Sequence, residues 1–140
     1  MQTTVRWVDG AMFVGESASG HAVVMDGPPE GGGKNLGIRP MEMLLLGMGG
    51  CSAYDVVSIL KKARQPIVDC AVELTAERAE TIPKVFTRIH AHFIVTGREG
   101  LKEAQVEKAV KLSSDKYCSA SIMLSKAAEV THDFEVRIEP

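Results

Sequence analysis

The sequence predicts an α+β fold, because one long apolar helix separates two groups of strands. Residues 40–60 form the longest apolar run of the chain and carry the signals of a helix start and end. Short alternating runs precede this helix, and two longer runs rich in β-branched residues follow it. The predicted element order is βββ–α–ββ–α–α–β, which is typical of an α+β protein.

Length and composition predict one soluble globular domain covering residues 1–140. The apolar content is 45% and the charged content 24%, which are ordinary values for such a domain. A net charge of −2 gives no support for a nucleic-acid partner. The N-terminus lacks the pattern of a signal peptide, and the charge-free run at residues 43–54 is too short to span a bilayer. We therefore expect a cytoplasmic protein without a membrane segment.

Three short strands are expected first, at residues 3–8, 11–14 and 21–25. Asp9 and Gly10 form a strong hairpin signal, so these strands should make an antiparallel meander. Residues 27–37 are rich in glycine and proline, which predicts a mobile loop that is long enough to be a lid or a crossover.

The central helix should begin at Pro40, because proline suits the first helical position. Glu42 lies in the first turn, where a carboxylate is favourable to the helix dipole. Residues 43–48 are apolar on nearly all sides of the axis, which predicts a helix that is buried all round. Cationic residues at 61–64 and then Pro66 should end it.

Three glycines interrupt this helix just before Cys51, at positions 47, 49 and 50. Each glycine costs a helix about 1 kcal/mol relative to alanine. A sequence that accepts this loss needs space there. Either another backbone packs closely, or a ligand must reach Cys51.

The remaining elements follow from periodicity. A long hairpin is expected at residues 67–77 and 86–96, an amphipathic helix at 101–112, a short helix at 118–130 and a last strand at 131–138.

The chain has three cysteines, and an odd count without a signal peptide argues against a disulfide framework. Cys51 is either a buried core thiol or, given the glycines, a functional one. Cys118 follows Lys116 and opens a predicted helix. The lysine ammonium and the positive end of the helix would both favour the thiolate, although an inert cysteine explains the sequence equally well. Cys70 alternates with apolar strand residues and is expected to be structural.

No motif indicates a cofactor or a metal. His90 and His92 share one face of a strand and could form a metal site with His132, but a solvated sheet face explains the pair as well. The run from Gly31 to Lys34 lacks the spacing of a phosphate-binding loop.

Two segments in register resemble the OsmC/Ohr family. Pro40, Glu42 and the Gly-Gly-Cys ending at Cys51 resemble the family's first motif, and Tyr117-Cys118-Ser119 resembles its second-cysteine motif. The predicted element order is similar as well, so the resemblance covers essentially the whole chain. It is greatest to the uncharacterised OsmC-like branch.

The resemblance implies an intertwined homodimer whose central helices are buried in the dimer core. It also implies thiol-based reduction of organic hydroperoxides in a pocket at the subunit interface. Cys51 would be the peroxidatic thiolate, and Cys118 would form a disulfide with it. A dithiol reductant of lipoyl type would restore both thiols.

The same resemblance gives Glu42 the task of holding a catalytic arginine. In the peroxidases that arginine comes from the N-terminal meander, where this chain has Glu16 and no arginine at residues 13–17. Arg39 is the nearest substitute in sequence. Two alternatives remain open: a ligand-binding or redox-sensing dimer without efficient turnover, and thiol chemistry on another electrophile.

Overall fold

The computed structural model describes residues 1–140 and has the α+β composition that the sequence predicts. The strands are β1 (Thr3–Asp9), β2 (Met12–Ser17), β3 (Ala22–Met25), β4 (Ile67–Arg78), β5 (Phe86–Gly97) and β6 (Glu129–Ile138), and the helices are α1 (Pro40–Lys62), α2 (Glu103–Leu112) and α3 (Ser119–Leu124). The chain divides into two compact units, Met1–Leu46 and Gly47–Pro140, which are described separately. The expectation of a single domain stays a prediction.

The N-terminal unit contains the predicted antiparallel meander, in the order β1-β2-β3. Trp7 lies opposite Phe13, and Phe13 lies opposite Met25, so these side chains share one face of the sheet. Trp7 is 68% exposed and Phe13 is 38% exposed. The single chain therefore leaves part of this apolar sheet face uncovered.

The glycine-rich loop after β3 is tied down by Asp26, whose side chain is buried. Its carboxylate accepts hydrogen bonds from the backbone N–H groups of Gly27, Lys34 and Leu36, at 2.7, 3.2 and 3.2 Å. Burial alone would raise the pKa of Asp26, but these three donors outweigh it and hold the pKa below its ordinary value. The loop is therefore held by a defined set of bonds, whereas its composition predicted a mobile segment.

Helix α1 begins at Pro40 as predicted, and a side-chain hydrogen bond caps its start. The Glu42 carboxylate accepts a hydrogen bond of 2.8 Å from the backbone N–H of Arg39, as the third residue of a capping box does. The helix ends at Lys62, and Arg64 takes a left-handed conformation with φ of 55°. The Gln65 N–H then bonds the Leu60 carbonyl oxygen at 2.9 Å, which satisfies one of the last free acceptors.

One side of α1 is covered within the single chain, and the other side is open. The buried residues are Met48, Gly49, Ser52, Val56 and Leu60. In contrast, Leu44, Leu46 and Tyr54 are 47, 56 and 76% exposed. The expectation of a helix buried all round is therefore not met by one chain, because the elements of this chain cover a single stripe of the helix.

The length of α1 also corrects the expectation, drawn from the charge-free run at residues 43–54, that the apolar segment is too short to span a bilayer. With 23 residues, α1 is long and apolar enough to cross a membrane by length and composition alone. The charge-free run is shorter than the helix, because α1 continues through polar residues at both ends of that run.

The second unit is built on the sheet β4-β5-β6. Strands β4 and β5 form the predicted long antiparallel hairpin, and β6 pairs with β5 in parallel. The central strand β5 carries the core: Ile89, Phe93 and Val95 are fully or almost fully buried. A Cβ atom added at Gly49 would come within 2.6 Å of the Leu74 side chain, so α1 approaches β4 closely at this glycine.

The segment after α2 differs from the prediction. Residues Ser113–Tyr117 form a π-helical turn closed by a 2.8 Å bond from the Cys118 N–H to the Ser113 carbonyl oxygen, whereas a break was expected. Helix α3 is shorter than predicted, since β6 already begins at Glu129. Single π turns of this kind occur frequently at functional sites.

Candidate thiol site

The structure brings Cys51 and Cys118 together, although they lie 67 positions apart in the chain. The two sulfur atoms and a carboxylate oxygen of Asp55 all lie within 4.8 Å of one another. Cys51 is half-buried on α1, and Cys118 is fully buried just before α3. This is the juxtaposition that the family resemblance implies.

Cys118 is the N-cap residue of α3, and its sulfur is surrounded by hydrogen-bonding groups. The backbone N–H of Ser121 donates to the sulfur at 3.3 Å, and the Ser52 hydroxyl lies 3.1 Å from it. The thiol lies 3.9 Å from the Met48 carbonyl oxygen, to which it donates. The sulfur is therefore held in place by both α1 and α3.

Of the two alternatives left open for Cys118, the structure favours a neutral thiol over a low-pKa one. Burial raises the pKa of Cys118, the bonds from Ser52 and Ser121 only partly offset this, and the neighbouring Cys51 thiol raises it further. The Lys116 ammonium lies 5.3 Å from the centre of the Tyr117 ring, in a cation–π contact, and is not among the groups that shift the pKa of Cys118. The effect of lost solvation on the pKa of Cys118 thus outweighs the effect of the short helix α3 that follows this residue.

Asp55 is a site residue that the sequence reasoning missed. It follows Cys51 by four positions on α1, so both side chains leave the helix on the same face. The hydroxyl of Ser113 donates a 3.0 Å hydrogen bond to its carboxylate. The i, i+4 spacing of Cys51 and Asp55 on the predicted central helix was the signal that would have identified Asp55.

The other two predicted site residues, Arg39 and Glu42, contact each other within the N-terminal unit. The contact joins the Glu42 carboxylate to the Arg39 backbone, as described above for the helix cap. The Arg39 guanidinium donates to the Asn35 side-chain oxygen at 3.0 Å and to the Gly37 carbonyl oxygen at 3.2 Å. The catalytic roles of both residues stay predictions.

Cys70 lies away from this group on β4 and is half-buried. Burial raises its pKa, and the charge of Asp69 raises it further. Both effects favour the neutral thiol, which agrees with the expected structural role.

The three histidines do not form the metal site considered from the sequence. His90 and His92 both bond Asp133 Oδ1, at 2.8 and 2.7 Å. His132 instead stacks on Phe93 of the core, with the ring centres 6.4 Å apart. Side chains alternate along a strand, so residue 132 of β6 cannot share the face of residue 133.

A groove of about 400 Å³ opens beside Asp55. Tyr54 and Ile59 of α1 form one wall, and Leu112 and Tyr117 form another. Lys62 lies in its lining as well. The groove therefore offers a mixed polar and apolar surface next to the Asp55 carboxylate.

The family model described as OsmC-like protein matches residues 31–133. The chain belongs to the OsmC-like family. It is also 57% identical over 139 residues to Protein YhfA of Escherichia coli K12, covering 97% of this chain and 98% of YhfA. This confirms the recognition made from the two cysteine motifs.

Solved structures confirm the OsmC-like fold. A hypothetical protein from Aquifex aeolicus superimposes with a TM-score of 0.86 at 32% identity, covering 99% of this chain and 97% of that one. An organic hydroperoxide resistance protein OsmC from Legionella pneumophila superimposes with a TM-score of 0.67 at 16% identity, covering 99 and 98%. At 16% identity the second likeness shows the fold alone. Proteins of the OsmC-like family are soluble, so the length and apolar composition of α1 do not point to a membrane protein.

Proposed function

We propose that this protein is a cysteine-based reductase of organic hydroperoxides that acts as a homodimer. The observation that carries the proposal is the pair of reduced thiols, one half-buried and one buried, whose sulfur atoms lie within 4.8 Å of each other. A disulfide needs a sulfur–sulfur distance of about 2 Å, so a small movement of the two side chains suffices to form one.

The reaction uses both thiols in turn. The Cys51 thiolate attacks the terminal peroxide oxygen, the O–O bond breaks, and the alkoxide leaves as an alcohol after taking up a proton. Cys51 is then a sulfenic acid. The Cys118 sulfur displaces its hydroxyl as water and forms the disulfide. One hydroperoxide and two thiols thus give one alcohol, one water and one disulfide.

The surroundings of Cys118 suit the second step. Burial raises the pKa of Cys118, so this thiol waits in its neutral form and must lose a proton as it attacks. The Asp55 carboxylate, within 4.8 Å of the sulfur, is close enough to receive that proton through one water molecule. The Ser121 N–H and the Ser52 hydroxyl then stabilise the developing negative charge on sulfur.

Two features support an organic substrate. The groove beside Asp55 has a mixed lining, in which Tyr54, Ile59, Leu112 and Tyr117 offer an alkyl or aryl hydroperoxide apolar contacts that hydrogen peroxide cannot use. The Legionella protein of the same fold is named an organic hydroperoxide resistance protein. A disulfide between Cys51 and the buried Cys118 would be returned to thiols by exchange with a small dithiol of lipoyl type.

The homodimer is supported by apolar surface that the single chain leaves open. Leu44, Leu46 and Tyr54 on α1 are largely exposed. Nothing lies within 4 Å of a Cβ atom added at Gly47 or Gly50, so these glycines have no packing reason within one chain. A second α1 seated on this side would cover the apolar residues and use the small ones for close approach.

Peroxide cleavage also needs a cation to favour the thiolate and the leaving alkoxide, and we assign this task to Arg39. Its guanidinium is held by Asn35 and Gly37, which fixes its position. Glu42 supports it indirectly, by capping α1 through the Arg39 backbone.

The test is peroxide consumption by the purified reduced protein. With cumene hydroperoxide and dihydrolipoamide, we expect turnover that Cys51→Ser abolishes and that Cys118→Ser limits to a single event. Cys70→Ser is the matched control and should retain full activity. Mass spectrometry after one equivalent of peroxide should find a Cys51–Cys118 bridge. Wild-type protein that consumes no more peroxide than Cys51→Ser would refute the enzyme proposal.

A redox-sensing dimer is the second candidate, and one observation favours it. Burial raises the pKa of Cys118, which favours the neutral thiol over the thiolate. A pair of this kind would oxidise slowly and without turnover. Disulfide formation in the absence of catalytic peroxide loss would select this function.

A further inference from the structure

We propose that Cys51, Cys118 and Asp55, in the reduced protein, form a binding site for one thiophilic divalent cation, with Zn²⁺ as the best fit. Sequence reasoning predicted no metal site, because the three residues come from two distant parts of the chain. The inference uses the reduced side chains alone, so it does not depend on peroxide turnover.

The distances fit a metal ion. Zn²⁺ binds thiolate sulfur at about 2.3 Å and carboxylate oxygen at about 2.0–2.2 Å in a tetrahedral arrangement. Ligand atoms around such an ion are separated by roughly 3.5–3.8 Å, as these bond lengths dictate. The three atoms here lie within 4.8 Å of one another, so each needs to move by about 1 Å or less towards a common centre.

Hydrogen-bond donors to two of the three ligands, Asp55 and Cys118, are already in place. Ser113 donates to the Asp55 carboxylate at 3.0 Å, which orients the oxygen ligand. The Ser121 N–H and the Ser52 hydroxyl are placed to donate to the Cys118 sulfur. Donors of this kind stabilise a metal-bound thiolate and fix its direction, and losing one typically costs about 10–100-fold in affinity.

The donor set selects the class of metal. Two thiolates with one carboxylate suit Zn²⁺ and other thiophilic ions, whereas Mg²⁺ and Ca²⁺ require oxygen ligands. Three protein ligands leave a fourth position for water.

Binding converts two thiols into two metal-bound thiolates and releases two protons, and no electron is transferred. The bound sulfur lone pairs are unavailable to a peroxide, so the ion would hold the pair reduced.

Titration of the reduced protein tests the site. With tris(2-carboxyethyl)phosphine as reductant, calorimetry should show one Zn²⁺ per chain, unaffected by excess Mg²⁺. Co²⁺ should give the near-ultraviolet absorption of sulfur-to-metal charge transfer. Cys118→Ser and Asp55→Asn should each lower Zn²⁺ affinity by more than about 10-fold. The Cys70→Ser control should bind like the wild type.

Several outcomes would overturn the proposal: no Zn²⁺ binding by the wild type, no charge-transfer band with Co²⁺, or binding that depends on Cys70. Unchanged affinity in Asp55→Asn would reduce the site to a simple dithiol and would also refute it. Circular dichroism of each variant separates lost ligands from lost folding. Ser113→Ala offers a milder change that keeps all three ligands and should weaken Zn²⁺ binding about 10-fold.

Discussion

The glycines before Cys51 allow a sharp test of the proposed dimer, because the single chain and the dimer predict opposite signs. An alanine in a helix interior is about 1 kcal/mol more favourable than a glycine. Nothing lies within 4 Å of a Cβ atom added at Gly47 or Gly50. A free-standing chain should therefore gain about 1 kcal/mol of stability from Gly47→Ala or Gly50→Ala.

In a dimer whose α1 helices pack closely, the same methyl group meets the partner helix. Overpacking of this kind costs about 1–3 kcal/mol, which offsets the gain and leaves a net loss of up to about 2 kcal/mol per helix. Both helices of the dimer carry the change, so a loss of about 2 kcal/mol in each raises the constant for dissociation into unfolded chains by roughly 1,000-fold. We expect this net loss for at least one of the two glycines.

Gly49→Ala is the matched control on the same helix. Its Cβ atom would come within 2.6 Å of the Leu74 Cδ1 atom of the same chain. The leucine must leave its rotamer at a cost of about 0.5–1.5 kcal/mol, which roughly cancels the gain in helix propensity. The change should therefore be small and should not depend on protein concentration.

Urea unfolding at two protein concentrations, together with light scattering, measures these effects. The dimer predicts a concentration-dependent midpoint that Gly47→Ala or Gly50→Ala lowers. If both variants are about 1 kcal/mol more stable than the wild type and keep its mass, the glycines do not lie in a subunit contact.

The hydrogen bond to Asp133 raises the pKa of His92. The pair therefore makes its whole contribution to stability below the ordinary histidine pKa of about 6.5, and this contribution is lost as the pH rises through the raised pKa. Asp133→Asn should therefore lower the urea midpoint more at about pH 5 than at about pH 9; equal losses would contradict the assignment. Asp26→Ala should lower the melting temperature more than Asp26→Asn, because the amide oxygen still accepts bonds from the loop; equal effects would show that Asp26 does not organise it. Ser52→Ala should slow formation of the Cys51–Cys118 disulfide about fivefold, because it removes one hydrogen bond worth about 1 kcal/mol net. Rapid quenching and mass spectrometry measure this rate. An unchanged rate would show that Ser52 takes no part in the reaction.

Local signals predicted the elements well. Pro40 and Pro66 bracket α1, and period-2 alternation identified the hairpin of β4 and β5. The pairing of β6 in parallel with β5 was not predicted, because strand partners are chosen by contacts distant in sequence. The anchored loop was missed for a similar reason, since a single buried carboxylate at Asp26 outweighs a composition typical of mobile segments.

Local motifs and periodicity were enough to identify the family, the α+β order of elements and the two thiols of the candidate site. The behaviour of those thiols depends on contacts that form only when the chain folds. It brought Asp55 and Ser52 of α1 beside Cys118 and buried that sulfur completely. Neighbouring positions in the chain predicted a low pKa for Cys118, and burial raises it. Desolvation depends on every atom that folding packs around a group, and no local pattern records those atoms.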